Sequence, residues 1–254
     1  MRFIGLLVVG AIVLAGASGA YPQTRPELTV FAAADLAFAL KDIVAKFEKV
    51  YDAKVTLVLG STGQLSQQIA SGAPADILFA ANESFVDDLI RRGTIIAETR
   101  ALYAQGRIVL ATRKDRGPRL TDVKELTGPR VRRIAIANPQ HAPYGKAAEE
   151  ALRTLGVWDA VQTKLVYGEN IRHTLQFLET GAVEAAIIAL SIANVPGIDY
   201  VPIDASLHKP LNQAVGVVKR SAHPARSLVF IQYVNGPEGR SIMKTYGFLL
   251  PGEF

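Results

Sequence analysis

Leu28-Thr29-Val30-Phe31-Ala32-Ala33-Ala34-Asp35-Leu36 is an apolar run of strand length that shrinks to small residues and passes straight into a stripe at helical spacing, Leu36, Leu40, Ile43, Phe47 and Val50. A short continuous apolar run reads as a strand buried on both faces, and apolar residues three or four apart turn one face of a helix onto a sheet. The unit recurs. Apolar runs at Val55–Leu59, Ile77–Ala81, Ile108–Ala111, Ile134–Ala137, Leu165–Tyr167 and Ala185–Ala189 alternate with helical patterns, among them Phe85, Leu89 and Ile90, and later Ala148, Leu152 and Leu155. The alternation predicts an α/β fold whose strands are mostly buried and parallel. Gly128-Pro129, Pro196-Gly197 and Gly236-Pro237 read as turns, and no repeat or long linker interrupts the pattern.

At the N-terminus Arg2 precedes an uncharged apolar run, Phe3 to Leu14, and then the small residues Ala15 to Ala20. That layout predicts a signal peptide, residues 1–20, cleaved before Tyr21, and a mature protein free in the periplasm. The run falls short of the roughly 20 apolar residues that span a bilayer. With no cysteine in the chain, lipid attachment at a cysteine is excluded and stability rests on packing without disulfides. Loss of Arg2 with the leader lowers the formal charge from +5 to +4. The basic residues are scattered, densest at Arg130, Arg132 and Arg133, and lack interleaved aromatics, so nucleic acid is not an expected partner. A mild positive field does help to draw in an anion.

Four junctions turn from an apolar run through small or polar residues into a helix: Ala32-Ala33-Ala34-Asp35, Gly60-Ser61-Thr62-Gly63-Gln64, Asn138 through Gly145, and Gly168-Glu169-Asn170-Ile171. In an open sheet such loops gather beyond the carboxyl ends of the strands, where helix N-termini present unpaired N–H groups. Several converging N-termini hold an anion by dipoles alone. The Gly60 loop lacks the Gly-Lys-Ser/Thr of a nucleotide-binding loop. His141, His173, His208 and His223 show no metal-ligand spacing, no hydrolase motif is present, and nothing in the spacing sets a histidine beside Ser61; neither a metal, a cofactor nor catalysis is expected. Asp35 reads as the N-cap of the helix beginning at Leu36, and Asp76 as a structural hydrogen-bonding group.

Val30-Phe31-Ala32-Ala33-Ala34-Asp35-Leu36, Gly60-Ser61-Thr62-Gly63-Gln64-Leu65, Gly72-Ala73-Pro74-Ala75-Asp76-Ile77 and Asn138-Pro139 through Gly145 together resemble the periplasmic molybdate-binding proteins of ABC importers, in register from about Leu28 to Tyr246-Gly247-Phe248. The resemblance implies a type II periplasmic-binding-protein clamshell, each lobe a mainly parallel sheet flanked by helices. The chain would cross twice, near Gln105-Gly106 and His208-Lys209, giving lobe 1 as 26–105 plus 208–254 and lobe 2 as 106–207. It implies a monomer that binds molybdate, with tungstate bound similarly, and delivers it to a membrane permease. The implied ligand positions are Ala34 or Asp35, Ser61 and Thr62, the Tyr144 and Ile171 backbone N–H groups, and Ala189. Three positions depart from the family. Ala34 and Asp35 stand where a serine is usual, Ala189 stands where some members have a tyrosine, and Tyr144 stands where those members have a small residue. The missing hydroxyl keeps sulfate or phosphate open as the ligand, and an enzyme on the same scaffold is the more distant alternative.

Overall fold

The computed structural model describes residues 27–254, and the expected signal peptide lies outside the described residues. The chain begins with β1 (Glu27–Ala33), a 3-10 turn over Ala34–Leu36, α1 (Ala37–Val50), β2 (Lys54–Gly60), α2 (Thr62–Ala70), β3 (Ile77–Ala80), α3 (Glu83–Arg91) and β4 (Ala101–Gly106). It continues through β5 (Ile108–Arg113), β6 (Ile134–Ala137), α4 (Pro143–Thr154), the short α5 (Trp158–Val161), β7 (Leu165–Gly168), α6 (Ile171–Glu179), β8 (Ala185–Ala189) and β9 (Ile198–Pro202). β10 (Leu211–Val217), α7 (Pro224–Asn235) and α8 (Pro237–Thr245) close it.

The strands form two five-stranded sheets, ordered β2-β1-β3-β10-β4 and β7-β6-β8-β5-β9. Both have one plan. In each, the first three strands run parallel, while the fourth joins by antiparallel pairing on both sides. The sheets are therefore evenly mixed where the apolar runs suggest mainly parallel ones. Ile108–Ala111, read as one of those runs, is antiparallel to both neighbours. The strands absent from the sequence reading, β4, β9 and β10, are also antiparallel; Gln105, Asp199, Asn212 and Gln213 break their apolar runs.

The first sheet is covered on both faces. Leu40, Ile43 and Phe47 of α1 pack with Phe230 and Met243 on one side, and Leu65, Ile69, Val86 and Leu89 of α2 and α3 cover the other. Phe47 is fully buried, its ring edge-on to Phe230 at 4.9 Å and stacked on Tyr51 at 4.6 Å. Truncating such a ring costs about 3–5 kcal/mol. A third apolar cluster, built on Ile134–Ala137, Ala185–Ala189 and α4, fills the second lobe.

The chain passes from the first sheet to the second at Arg107 and returns between β9 and β10. The first passage lies against the C-terminal segment: Gln105 and Leu249 exchange backbone hydrogen bonds of 2.8 and 3.1 Å, and Arg107 Nη2 donates to the Gly247 carbonyl at 2.6 Å.

Candidate functional site

Parallel register aligns the carboxyl ends of neighbouring strands, Ala33 beside Gly60 in the first sheet and Ala137 beside Gly168 in the second. The chain leaves each end into a helical turn. The four junctions meet in one small cavity between the lobes, lined by Ala33, Ala34, Asp35, Gly60, Ser61, Thr62, Ala81, Ala142, Pro143, Tyr144 and Ile171. Of the residues singled out in the sequence, Ala34, Asp35, Ser61, Thr62, Tyr144 and Ile171 come together. Ala189 does not line the cavity; it pairs with Ile108 at the end of β8 and is packed in the second lobe's core.

Thr62, Tyr144 and Ile171 lie in the first turns of α2, α4 and α6, where no intrahelical carbonyl reaches their N–H groups. Each N-terminus is half a positive charge at the cavity wall. The Asn170 side chain caps α6 by accepting from the Arg172 and His173 N–H groups at 3.0 Å, which leaves the Ile171 N–H pointing out of the cap. Pro143 at the head of α4 fixes the backbone there without sacrificing a bond. Thr62 Oγ1 accepts from the Ala81 N–H at 3.0 Å, so its own hydrogen remains to be donated.

Ser61 is engaged differently. Its hydroxyl donates to the His141 carbonyl at 2.6 Å and contacts His141 Nδ1 at 2.7 Å, and the Gly63 N–H joins the same carbonyl at 2.9 Å. A histidine therefore does stand beside Ser61, contrary to the sequence reading. Both contacts are hydrogen bonds only when Nδ1–H donates to Oγ, the reverse of a base drawing off a serine proton. The three bonds are a seam between lobes. A side chain at Gly63 would bring its Cβ to 2.7 Å from that carbonyl.

Asp35 is not a helix cap. The 3-10 turn at Ala34–Leu36 displaces the start of α1, whose first turn has no side-chain cap, and the carboxylate turns elsewhere. Its Oδ2 accepts from Tyr144 Oη at 2.8 Å and from Gln213 Nε2 at 2.8 Å; Gln213 Nε2 also donates to Tyr144 Oη at 2.9 Å. Asp35 Oδ1 and Gln213 Oε1 make no full hydrogen bond, the Asp35 and Leu36 backbone N–H groups lying near the carboxylate and acting on it weakly. Ser191 donates to the Asp35 backbone carbonyl at 2.8 Å, a further tie between the lobes. Asp35 and Gln213 are completely buried. Burial lifts the Asp35 pKa to about 6, and the hydrogen bonds from Gln213 and Tyr144 hold back part of that rise. Burial first, and then the Asp35 charge, raise the Tyr144 phenol well above its ordinary value and keep it a neutral donor.

Gly106, at the first crossing, makes room for this triangle. A Cβ there would lie 2.1 Å from Tyr144 Oη and 2.8 Å from Gln213 Nε2. Gly106 was expected only as part of the first crossing, and Gln213 was not singled out at all; its only signal was an amide within the strand Leu211–Val217, itself unread as a strand. Asp76, by contrast, has a structural place: its carboxylate accepts from the Thr29 N–H at 2.8 Å and from Ser221 Oγ at 2.5 Å.

Comparison with known proteins adds three findings. The model of the bacterial extracellular solute-binding protein family matches residues 28–249. The molybdate-binding protein ModA of Azotobacter vinelandii is 33% identical, with 96% of each chain covered, and ModA of Escherichia coli is 31% identical, covering 96% of this chain and 97% of its own. In three dimensions the Azotobacter vinelandii periplasmic molybdate-binding protein aligns with a TM-score of 0.83 at 30% identity, over 88% of this chain and 99% of that one.

Proposed function

This chain belongs to the bacterial extracellular solute-binding protein family, and from that premise we propose that it captures molybdate between its two lobes and hands it to an ABC importer. It is a binding protein and not an enzyme. The observation that carries the reading is the convergence of three helix N-termini and the Thr62 hydroxyl on one small cavity between the lobes. Fixed neutral donors in a dry site recognise an ionised oxyanion by size and charge, without a lysine that would accept any anion. The relatives named for molybdate, at 31–33% identity over nearly their whole length, support the same ligand.

In this reading Thr62 donates its hydroxyl hydrogen, and the Thr62, Tyr144 and Ile171 backbones donate N–H groups. Ala34 and Asp35 bound the first-lobe side of the anion. Ser61 spends its hydrogen on His141 and acts by holding the seam. Residues 26–105 with 208–254 and residues 106–207 are the units that close, the mature chain is a periplasmic monomer beginning near Tyr21, and its partner is the importer's membrane permease. A second reading, a different tetrahedral oxyanion, draws on the Asp35 carboxylate in the cavity wall, which a protonated anion would suit.

Calorimetric titration of the mature protein with molybdate, tungstate, sulfate and phosphate tests the proposal. Molybdate and tungstate are expected to bind one per chain, and molybdate at a hundred times its dissociation constant adds about 2.7 kcal/mol to stability. Tight binding of sulfate or phosphate with molybdate inert would reassign the ligand.

A further inference from the structure

Asp35 is a completely buried carboxylate in the wall of the cavity, with neutral partners on one oxygen and no full hydrogen bond on the other, the Asp35 and Leu36 backbone N–H groups acting on the carboxylate only weakly. An anion entering this cavity meets a negative charge in a medium that screens poorly, where like charges repel strongly and a bare buried ion is costly. Among the described residues no cation is paired with it, and the groups packed around it are the phenols Tyr103 and Tyr144, the Gln213 amide and the Ser191 hydroxyl. Charged side chains on the neighbouring helices are engaged elsewhere: Lys146 with Glu149, and Arg172 with Glu179 while its guanidinium sits 5.1 Å from the Phe38 ring.

We propose that oxyanion capture by this chain is coupled to uptake of a single proton from solvent, which settles on Oδ1 of Asp35 and converts it from an acceptor into a donor facing the anion. The proposal rests on the oxyanion reading above. The balance is simple: free carboxylate, dianion and one solvent proton give bound dianion and a neutral carboxyl, with no bond of the ligand made or broken. Oδ2 keeps its hydrogen bonds from Tyr144 and Gln213 in both states, so Oδ1, the atom without a full hydrogen bond, is where the proton is needed. A carboxyl already lifted to about 6 by burial is poised for this, because a nearby dianion raises it further.

The sign follows from linkage. The bound state holds the proton more tightly than the free state, so affinity falls as pH rises above about 6, by up to about tenfold per pH unit. Below that pH the free protein already carries the proton and the dependence flattens. Asp35→Asn keeps an acceptor for Tyr144 and Gln213 and removes the titration.

The test is calorimetry with sodium molybdate near pH 7.5, in two buffers that differ in ionisation enthalpy, for the native chain and Asp35→Asn; sodium sulfate serves as a second probe that does not itself protonate there. The expected result is close to one proton taken up per anion in the native chain and none in the variant, whose affinity stays level across the range. Binding with no buffer dependence in the native chain would overturn the coupling and leave the oxyanion reading intact; this arm stands even if the variant does not fold. Uptake that persists in Asp35→Asn would put the proton on the ligand or on another group of the protein and overturn the assignment to Asp35. Failure of the native chain to bind either anion would remove both readings.

Discussion

The two lobes share a sheet plan and bring different chemistry to the cavity. The second presents backbone: the Tyr144 and Ile171 N–H groups at the heads of helices begun by Pro143 and capped by Asn170. The first presents side chains as well, the Thr62 hydroxyl and the Asp35 carboxylate. Donors fixed in the main chain survive most substitutions, whereas side-chain groups can be exchanged or titrated. The difference teaches that selectivity can be retuned in the first lobe while the second stays constant.

The contrast is broken most severely by discharging the first lobe. Asp35 has a pKa of about 6 in the folded chain against 3.8 ordinarily, so folded molecules hold the proton across an interval where unfolded ones have lost it, and stability falls as pH rises from about 4 to about 6 and then levels. Asp35→Asn removes that loss. At pH 7 without ligand the variant is expected to gain stability on the order of 3 kcal/mol, read by denaturant melts, and to show no such fall on the acid side.

Next come the donors. Thr62→Ala is expected to weaken molybdate binding by about 1.5–3 kcal/mol, the scale of a hydrogen bond to a charged group, with a further stability loss because the Ala81 N–H loses its acceptor. Ile171→Pro removes one second-lobe donor at a position where a helix tolerates proline, after an extended Asn170. Its binding loss is expected to be of similar size, while Ile171→Val leaves affinity unchanged. If both substitutions weaken binding equally, the side chain and not the backbone is the contact, and the contrast between lobes fails. Smallest is Asn170→Ala, which removes a cap and is expected to lower stability by about 1 kcal/mol, with a slight effect on affinity.

What the sequence reveals of this molecule follows range. Leu28–Ala33, Val55–Leu59 and Ala185–Ala189 show as strands because continuous apolar runs are local signals, and the junctions after them show because small residues punctuate a change of period. β10 stays hidden since Asn212 and Gln213 interrupt it. Asp35 misleads for a related reason: capping is judged from neighbours in the chain, and its actual partners, Tyr144 and Gln213, lie 109 and 178 residues away. The Ser61 and His141 contact, 80 residues apart, is equally invisible before folding.

The order of strands has a consequence in time. The second sheet is drawn from one continuous stretch, β5 to β9, whereas β10, which lies between β3 and β4 in the first, is more than a hundred residues downstream of both. As the chain is synthesised, the second lobe can be complete while the first is still three strands with an exposed edge at β3, waiting for Leu211–Val217. Non-local pairing of this kind is slow and leaves strand edges open to wrong partners. The lobe with the titratable chemistry is thus the last to close, and Gln213, which fastens Asp35 to Tyr144, arrives on the strand that completes it.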